Sequence, residues 1–197
     1  MAREEKALPF DGFLHANDFR ISTYPKNEVV DVGGGLQRVF VVWDGCQFRP
    51  LGTVCEEPQI KLAWSDDNGQ TWQGPKVLSQ GGDNYFPTIS HNGAGQLAVA
   101  WFTNRFDTQF HAQQDVELLK VDASTVGAGA PTRLTDPSNQ TTADPILGGL
   151  FIGDYIDVFA NAGTVWTGYN ANYRALPLLG EGVAVPQQDN YLDVRGF

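Results

Sequence analysis

The chain has 197 residues, 42% of them hydrophobic and only 18% charged, which excludes a disordered polyelectrolyte and leaves room for one domain with a real core. A formal net charge of −10 excludes a general polyanion-binding surface, because neutralising phosphates requires clustered Lys and Arg. No stretch reaches the roughly 20 apolar residues of a membrane-spanning helix, while 22 glycines, 11 prolines and 12% aromatics favour strands and tight turns.

Residues 1–14 lack the apolar core of a signal peptide and read as an N-terminal arm. FRIST (19–23) reads as a leading strand and RVFVVWD (38–44) as a strand carrying Trp43. Gly33-Gly34-Gly35 falls between them as a hairpin turn; no helix follows it, so it is not a nucleotide-binding motif. Cys46 and Cys55 flank a short loop rich in turn residues, with no Cys-x-x-Cys or Cys/His metal spacing competing for them. They are expected to form a disulfide, which implies an oxidising compartment. In the chain-entropy model so small a loop contributes about 2–3 kcal/mol. IKLAWS (60–65) and GPKVLSQ (74–80) follow as two strands around a polar turn.

The same order then returns. YFPTIS (85–90), the turn HNGAGQ and QLAVAWFTN (96–104) form a hairpin, and DVELLKVDAST (115–125) and GAGAPTRLTD (127–136) follow it. Aligning Pro75 with Pro131 pairs Val77-Leu78-Ser79 with Arg133-Leu134-Thr135. QQDVELLKVDA (113–123) is the best helix candidate but fits a strand equally well. LFIGDYIDVF (150–159), ANAG and GTVWTGYN (163–170) open a third unit. Four antiparallel strands in about 60 residues, repeated, predict an all-β fold of about three propeller blades. The expected divisions are 15–80, 81–136 and 137–174. A tail, 175–197, either covers an edge or pairs as an extra strand, and Pro177 and Pro186 argue against a helix through it.

The polar turn in AWSDDNGQTW carries Ser65, Asp67, Gly69 and Trp72. Ser65 and Asp67 are short acceptors for backbone N–H groups, Gly69 can take a positive φ, and Trp72 can fold back over the turn. This spacing resembles the Asp-box, the repeated turn of sialidase-type β-propellers. The aligned positions in VDASTVGAGA (121–130) have lost it. The stretches 83–107 and 149–174 are similar to the last blades of secreted bacterial Asp-box propellers. The resemblance implies a sialidase-like partial propeller in a secreted or periplasmic protein whose leader is absent from this sequence.

In an up-down-up-down blade the turn between strands three and four shares its rim with the turn between strands one and two. The resemblance places the ligand site on the opposite rim near the axis, so the Ser65–Trp72 turn is expected to be structural. Expected on the site rim after the Trp strands are Asp44, then Asn104, Arg105, Asp107 and His111, then Tyr169, Asn170 and Arg174. Arg20, Asp83, Asn84, Tyr85, Asp154 and Tyr155 are expected where the first strands begin.

Two functions fit that rim. The resemblance implies that a sialidase-type hydrolase would clamp a sugar carboxylate with three arginines, for which Arg20, Arg105 and Arg174 are candidates. It would use a tyrosine nucleophile (Tyr155 or Tyr169) and an aspartic acid/base (Asp44, Asp107 or Asp154). Ser22 replaces the proline of the family's first arginine motif, and no glutamate falls beside either tyrosine. Simpler roles exist for each group: an Arg105–Asp107 loop brace, Arg174 stacked on Tyr173, Asp154 capping a strand. The preferred expectation is a non-catalytic module that binds glycan or protein through Asp44, Asp83, Tyr85, Asn104, Asp154 and Tyr169. No cofactor is expected. His15, His91 and His111 are scattered, so no metal site is read, although LTDPSNQTTAD (134–144) has oxygen groups that suit calcium. Propellers close with 4–8 blades, so the remaining blades are expected from a longer chain or from self-association.

Overall fold

The computed structural model describes residues 14, 21, 24–45, 57–145, 153, 155–177 and 182–197. Twelve strands occur among them and no helix. The first sheet orders β1 (Lys26–Asp31), β2 (Gln37–Gly45), β3 (Gln59–Ser65) and β4 (Gln73–Val77) as an antiparallel meander. The second repeats it with β5 (Asn84–His91), β6 (Gln96–Thr103), β7 (Gln113–Asp122) and β8 (Thr132–Arg133), and the two-residue β9 (Asn139–Gln140) also pairs with β7. The third contains β10 (Asp157–Ala160), β11 (Thr164–Pro177) and β12 (Ala184–Gly196). The chain is therefore all-β, with three antiparallel blades of a β-propeller. The third blade has three strands among the described residues, and its outermost, β12, comes from the C-terminal tail.

The repeat holds at the level of single hydrogen bonds. In the first blade Leu78 N–H donates to Ile60 O (2.8 Å) and Ile60 N–H to Ser79 Oγ (2.9 Å). In the second, Leu134 N–H donates to Val116 O (2.8 Å) and Val116 N–H to Thr135 Oγ1 (3.1 Å). The alignment of Val77-Leu78-Ser79 with Arg133-Leu134-Thr135 is thus structural. The ambiguous 113–122 segment is strand β7, because its alternate residues enter two different cores. Val116 and Leu118 face the third blade, and Leu119 and Val121 share a cluster with the first. The first strand of the first blade among the described residues is β1; of FRIST only Ile21 is described, and the rest lies outside the described residues. Gly33-Gly34-Gly35 closes the β1–β2 hairpin with Val32 N–H donating to Leu36 O at 3.0 Å, a turn that selects the strand immediately before it.

Two apolar clusters hold the blades face to face. Phe40, Val42, Ile60 and Leu62 of the first blade pack on Leu97, Val99, Trp101 and Leu119 of the second. Tyr85, Ala98, Ala100 and Phe102 of the second blade pack with Val158, Ala160 and Val165 of the third. Burial at roughly 25 cal/mol per Å² of apolar surface makes these joints the main stabilising contribution.

The Ser65–Trp72 turn joins β3 to β4. Ser65 Oγ accepts from Gly69 N–H (2.8 Å) and donates to Asp67 Oδ1 (2.8 Å), while Asp67 Oδ1 accepts from Thr71 N–H (2.7 Å). Gly69 has φ +83°, and Trp72 Nε1–H donates to Gly69 O at 3.1 Å. The corresponding β7–β8 turn keeps the logic with different residues: Asp122 Oδ1 accepts from the backbone N–H groups of Ser124 (3.0 Å) and Thr125 (2.8 Å). Arg38 ties the two turns together. Its guanidinium grips Asp66 (2.6 and 3.0 Å) and donates to Ala123 O (2.9 Å) and Ser124 O (2.8 Å). These turns and the β1–β2, β5–β6 and β10–β11 hairpins lie at one rim, as the antiparallel order requires.

Thr71, through its hydroxyl and then its N–H, together with Ser65 Oγ–H, lowers the Asp67 pKa to about 2. A carboxylate depressed in the folded state contributes stability above its unfolded pKa and loses that contribution as pH falls towards the folded value. Asp67→Asn is therefore expected to lower the thermal midpoint at neutral pH and to flatten the loss of stability between about pH 4 and pH 2. A melting series over that window checks it, and identical slopes for the two proteins would contradict it.

Candidate functional site

Strands β1, β5 and β10 are the innermost of their blades, and β5 lies beside both of the others. All three run in the same sense, so their first residues meet at the rim opposite the Ser65–Trp72 turn. There they enclose a cavity of about 250 Å³. Tyr24, Pro25 and Lys26 line it from the start of β1, Phe86 and Pro87 from β5, and Tyr155 and Ile156 from the approach to β10.

The aromatic groups are set by local backbone chemistry. Phe86 and Pro87 sit in a β-bulge: Tyr85 pairs with Phe102 and Thr88 with Ala100, so two residues of β5 oppose one of β6. Proline cannot donate to the ladder, which suits it to a bulge. Phe86 takes φ +51° there, a conformation that costs a non-glycine residue about 1–3 kcal/mol and that collects at functional positions. Its ring stacks on Tyr24 with centroids 6.2 Å apart and planes 30° apart. Tyr155 is 78% exposed, an unusual position for a large ring in a chain with two well-filled cores. Lys26 is the charged group among these seven residues. Phe86 itself is 3% exposed and backs Tyr24 from the core, so the aromatic surface open to a ligand is that of Tyr24, 48% exposed, and Tyr155, both with polar tips and suited to ring stacking.

The residues expected at this rim divide into several environments. Asp83 and Asn104 clasp two connections. Asn104 Oδ1 accepts from Asp83 N–H (2.7 Å), and its Nδ2 donates to Asp83 Oδ2 (2.7 Å) and His111 O (2.8 Å). Burial raises the Asp83 pKa above the ordinary carboxylate value, against the Asn104 bond that favours its charge. Gly82 makes the clasp possible, since a Cβ there would lie 2.7 Å from Arg105 Cα. Asp107 caps the β6–β7 loop, accepting from the N–H groups of Phe110 (3.1 Å), Ala112 (3.0 Å) and Gln113 (3.2 Å). Burial opposes its charge, but these donors outweigh that and hold its pKa low.

Arg105 does not pair with Asp107. Its Nε donates to Glu117 Oε1 at 2.8 Å and its Nη2 to the same oxygen. Glu117 is fully buried, and its Oε2 has no hydrogen-bond partner among the described residues. Arg105 also lies 4.1 Å from the Phe106 ring centroid. Arg133, paired with the fully buried Asp115 at 2.8 Å, lies 4.5 Å from the same centroid. Phe106 therefore contacts two guanidinium groups that are each committed to a buried carboxylate.

Asp44 and the Tyr85 ring are fully buried, and burial drives the Tyr85 pKa far upward. Tyr169, Asn170 and Arg174 lie on β11 rather than in a loop, because β11 continues to Pro177 against β12. Tyr169 stacks on Tyr191 with centroids 6.0 Å apart, and burial raises its pKa. Arg174 is 3.7 Å from Asp189 and largely exposed, while the neighbouring Tyr173 packs on Tyr191 instead. Arg105 and Arg174 thus have separate acidic partners. Arg20, Asp154, His15, Cys46 and Cys55 lie outside the described residues. In 134–144, Ser138, Asn139 and Asp144 bond Asp115, Asn172 N–H and Gln188 N–H respectively. No group of three His, Cys, Asp or Glu with metal-ligand geometry occurs among the described residues. Among the described residues no helix is long and apolar enough to cross a membrane.

Of the cavity residues the sequence reading named only Tyr155. Tyr24, Lys26, Phe86 and Pro87 had a signal: Tyr24-Pro25 and Phe86-Pro87 are the same aromatic–proline dipeptide at the first strands of successive blades.

The class defined by these features is a three-bladed portion of a β-propeller with an aromatic cavity at its axis. Comparison with protein families finds no match, and comparison with curated proteins finds none either. Among solved structures the chain is similar to an α-L-arabinofuranosidase from Fusarium graminearum, solved in complex with an iminosugar inhibitor. The TM-score is 0.51 at 12% identity, over 89% of this chain and 46% of that one. That protein is a β-propeller glycoside hydrolase, and the likeness shows the fold. The chain spans under half the length of the structure it matches.

Proposed function

We propose that this chain is a sialidase-like Asp-box propeller module that binds glycan, without catalysis, through the axial cavity opposite the Ser65–Trp72 turn. The observation that carries the reading is the convergence of Tyr24, Phe86 and Tyr155 on one cavity at the starts of three inner strands. Sugar rings present C–H faces to aromatic surfaces and hydroxyls to the tyrosine tips and the Lys26 ammonium. The likeness to a propeller glycoside hydrolase supports a carbohydrate ligand as analogy. The arginine-clamp alternative is disfavoured because Arg105 is already committed to the buried Glu117. An exported location belongs to the same proposal and rests on the expected Cys46–Cys55 bridge. A thiol-specific label that modifies neither cysteine without reductant would support the bridge, and free labelling would contradict it.

A glycan array followed by calorimetry tests the binding. We expect saturable binding to at least one glycan, weakened about tenfold by Tyr155→Ala, since loss of one stacked ring is worth about 1.4 kcal/mol. A fluorogenic sialoside is expected to remain uncleaved. Binding unchanged by both Tyr155→Ala and Tyr24→Ala, or a protein ligand with no glycan binding at all, would overturn the reading.

A further inference from the structure

Among the described residues four aromatic rings stand largely in solvent: Tyr155 at 78% exposure, Phe110 at 66%, Phe159 at 62% and Tyr24 at 48%. Tyr24 and Tyr155 line the axial cavity. Phe159 lies on a sheet face and packs on Trp166, with centroids 5.6 Å apart. Phe110 belongs to neither setting. It sits in the loop between β6 and β7, which also carries Phe106. The Phe106 ring is taken up by its contacts with Arg105 and Arg133, whereas the Phe110 ring faces solvent.

The loop fixes that ring in place. Asp107 N–H donates to Asn104 O and His111 N–H to Asp107 O, each at 3.0 Å. The Asp107 carboxylate accepts from Phe110 N–H at 3.1 Å, and Asn104 Nδ2 donates to His111 O at 2.8 Å. His111 takes φ +52°, uncommon for a residue with a side chain. These bonds come from backbone groups, Asn104 and Asp107, so the fold of the loop does not depend on the Phe110 ring. A tied turn therefore carries an apolar ring into water, against the hydrophobic effect.

The loop also lies on the cavity's rim. Thr103, the last residue of β6, pairs with Asn84 at the start of β5, and Asn104 Oδ1 accepts from Asp83 N–H at 2.7 Å. Neighbouring strands are about 4.8 Å apart, so the loop emerges roughly 5–10 Å outward of β5, the strand that supplies Phe86 and Pro87 to the cavity. The cavity itself, about 250 Å³, is smaller than the roughly 300–1,000 Å³ of pockets that enclose a whole small ligand. A glycan of several residues must therefore continue across this rim. We propose that Phe110 is an outer stacking subsite, and that the ligand class of this rim is an extended oligosaccharide: one sugar residue lies against Tyr24 and Tyr155, and a later one on Phe110. The proposal rests on the glycan reading above. Phe110 has no polar tip, so it takes the C–H face of a ring and selects for chain length more than for hydroxyl configuration. Thr108, Gln109 and His111, exposed beside it, supply donors and acceptors for the hydroxyls.

Calorimetry with the disaccharide and the hexasaccharide cut from the glycan that the array returns tests it. Wild type is expected to bind the hexasaccharide about tenfold more tightly than the disaccharide, the gain from one further stacked ring. Phe110→Ala is expected to remove that gain while leaving the disaccharide Kd and the thermal midpoint unchanged. Phe110→Trp, which keeps a stacking ring, is expected to retain the gain, and Tyr155→Ala to weaken both fragments alike. Glycan binding in which Phe110→Ala leaves the hexasaccharide affinity intact would overturn this inference alone. An equal loss for both fragments would do the same, since Phe110 would then act through the fold. No glycan binding at all, or a protein ligand weakened by Phe110→Ala in its place, would overturn the cavity reading as well.

Discussion

Replacing Trp101 by alanine is expected to destabilise the protein by about 3–5 kcal/mol, the cost of emptying a large aromatic site in a packed core. Trp101 is fully buried at the joint between the first two blades, and its indole N–H donates to Asn84 Oδ1 at 3.1 Å. Asn84 is 1% exposed and also fastens the connection between these blades, donating from Nδ2 to Gly82 O at 2.8 Å. The substitution therefore opens a cavity and strips a buried acceptor in one step. A domain of this size has about 5–15 kcal/mol of total stability, so the midpoint is expected to fall on the order of 10 °C. Trp101→Phe keeps most of the volume and isolates the lost hydrogen bond, expected at about 1–3 kcal/mol. Urea titrations of the three proteins check both values. Equal stability of Trp101→Ala and wild type would mean that the blades do not pack through this face.

Arg105→Ala is expected to cost about 3–5 kcal/mol as well, for an electrostatic reason. Glu117 is fully buried and meets Arg105 through one oxygen while the other has no partner among the described residues. Removing the guanidinium leaves a carboxylate in the interior without compensation, which is far more costly than replacing both members of such a pair. The double substitution Arg105→Met with Glu117→Leu is therefore expected to recover most of the lost stability. This pair also separates structure from ligand chemistry. A clamp arginine would be missed by the ligand even in a stable protein, whereas here the stable double variant is expected to bind glycan as wild type does. Loss of an activity in Arg105→Ala alone would be ambiguous, since it follows equally from a weakened blade.

The architecture was legible because each blade repeats its hydrogen-bond chemistry in residue types. Val77-Leu78-Ser79 and Arg133-Leu134-Thr135 differ at the exposed position and agree where a leucine N–H and a hydroxyl bond the third strand. The turn at Ser65–Trp72 was legible for the same reason, since its geometry depends on four side chains close in sequence. What escaped depends on partners distant in sequence. Arg105 and Asp107 are two residues apart, yet Glu117 is the partner of Arg105, because β6 and β7 run side by side below the loop. Tyr169 and Arg174 read as loop residues because nothing local shows that β12 extends β11 to Pro177. The cavity aromatics were missed because a strand pattern reads Phe86 as an ordinary core residue. Only the bulge at Phe86-Pro87, stacked against Tyr24, reveals its part in the cavity wall.

The same placement explains why the two rims have different chemistry. At the turn rim, Arg38 and Lys76 bond backbone oxygens of the neighbouring blade's turn, Arg38 also holds Asp66, and Asp67 and Asp122 are occupied within the turns themselves. At the other rim Tyr24 before β1 and Tyr155 before β10 carry exposed surface, at 48% and 78%, while Phe86 of β5 is buried behind Tyr24. The proposed placement of ligand binding at the second rim rests on that difference in exposed ring surface.

The most direct test is to follow backbone amide chemical shifts during titration with a bound glycan. The account predicts saturable shifts at Tyr24, Lys26, Phe86 and Tyr155 with none at Ser65 to Trp72. Shifts that cluster at that turn, or at Arg105 and Arg174 while the axial aromatics stay still, would contradict it.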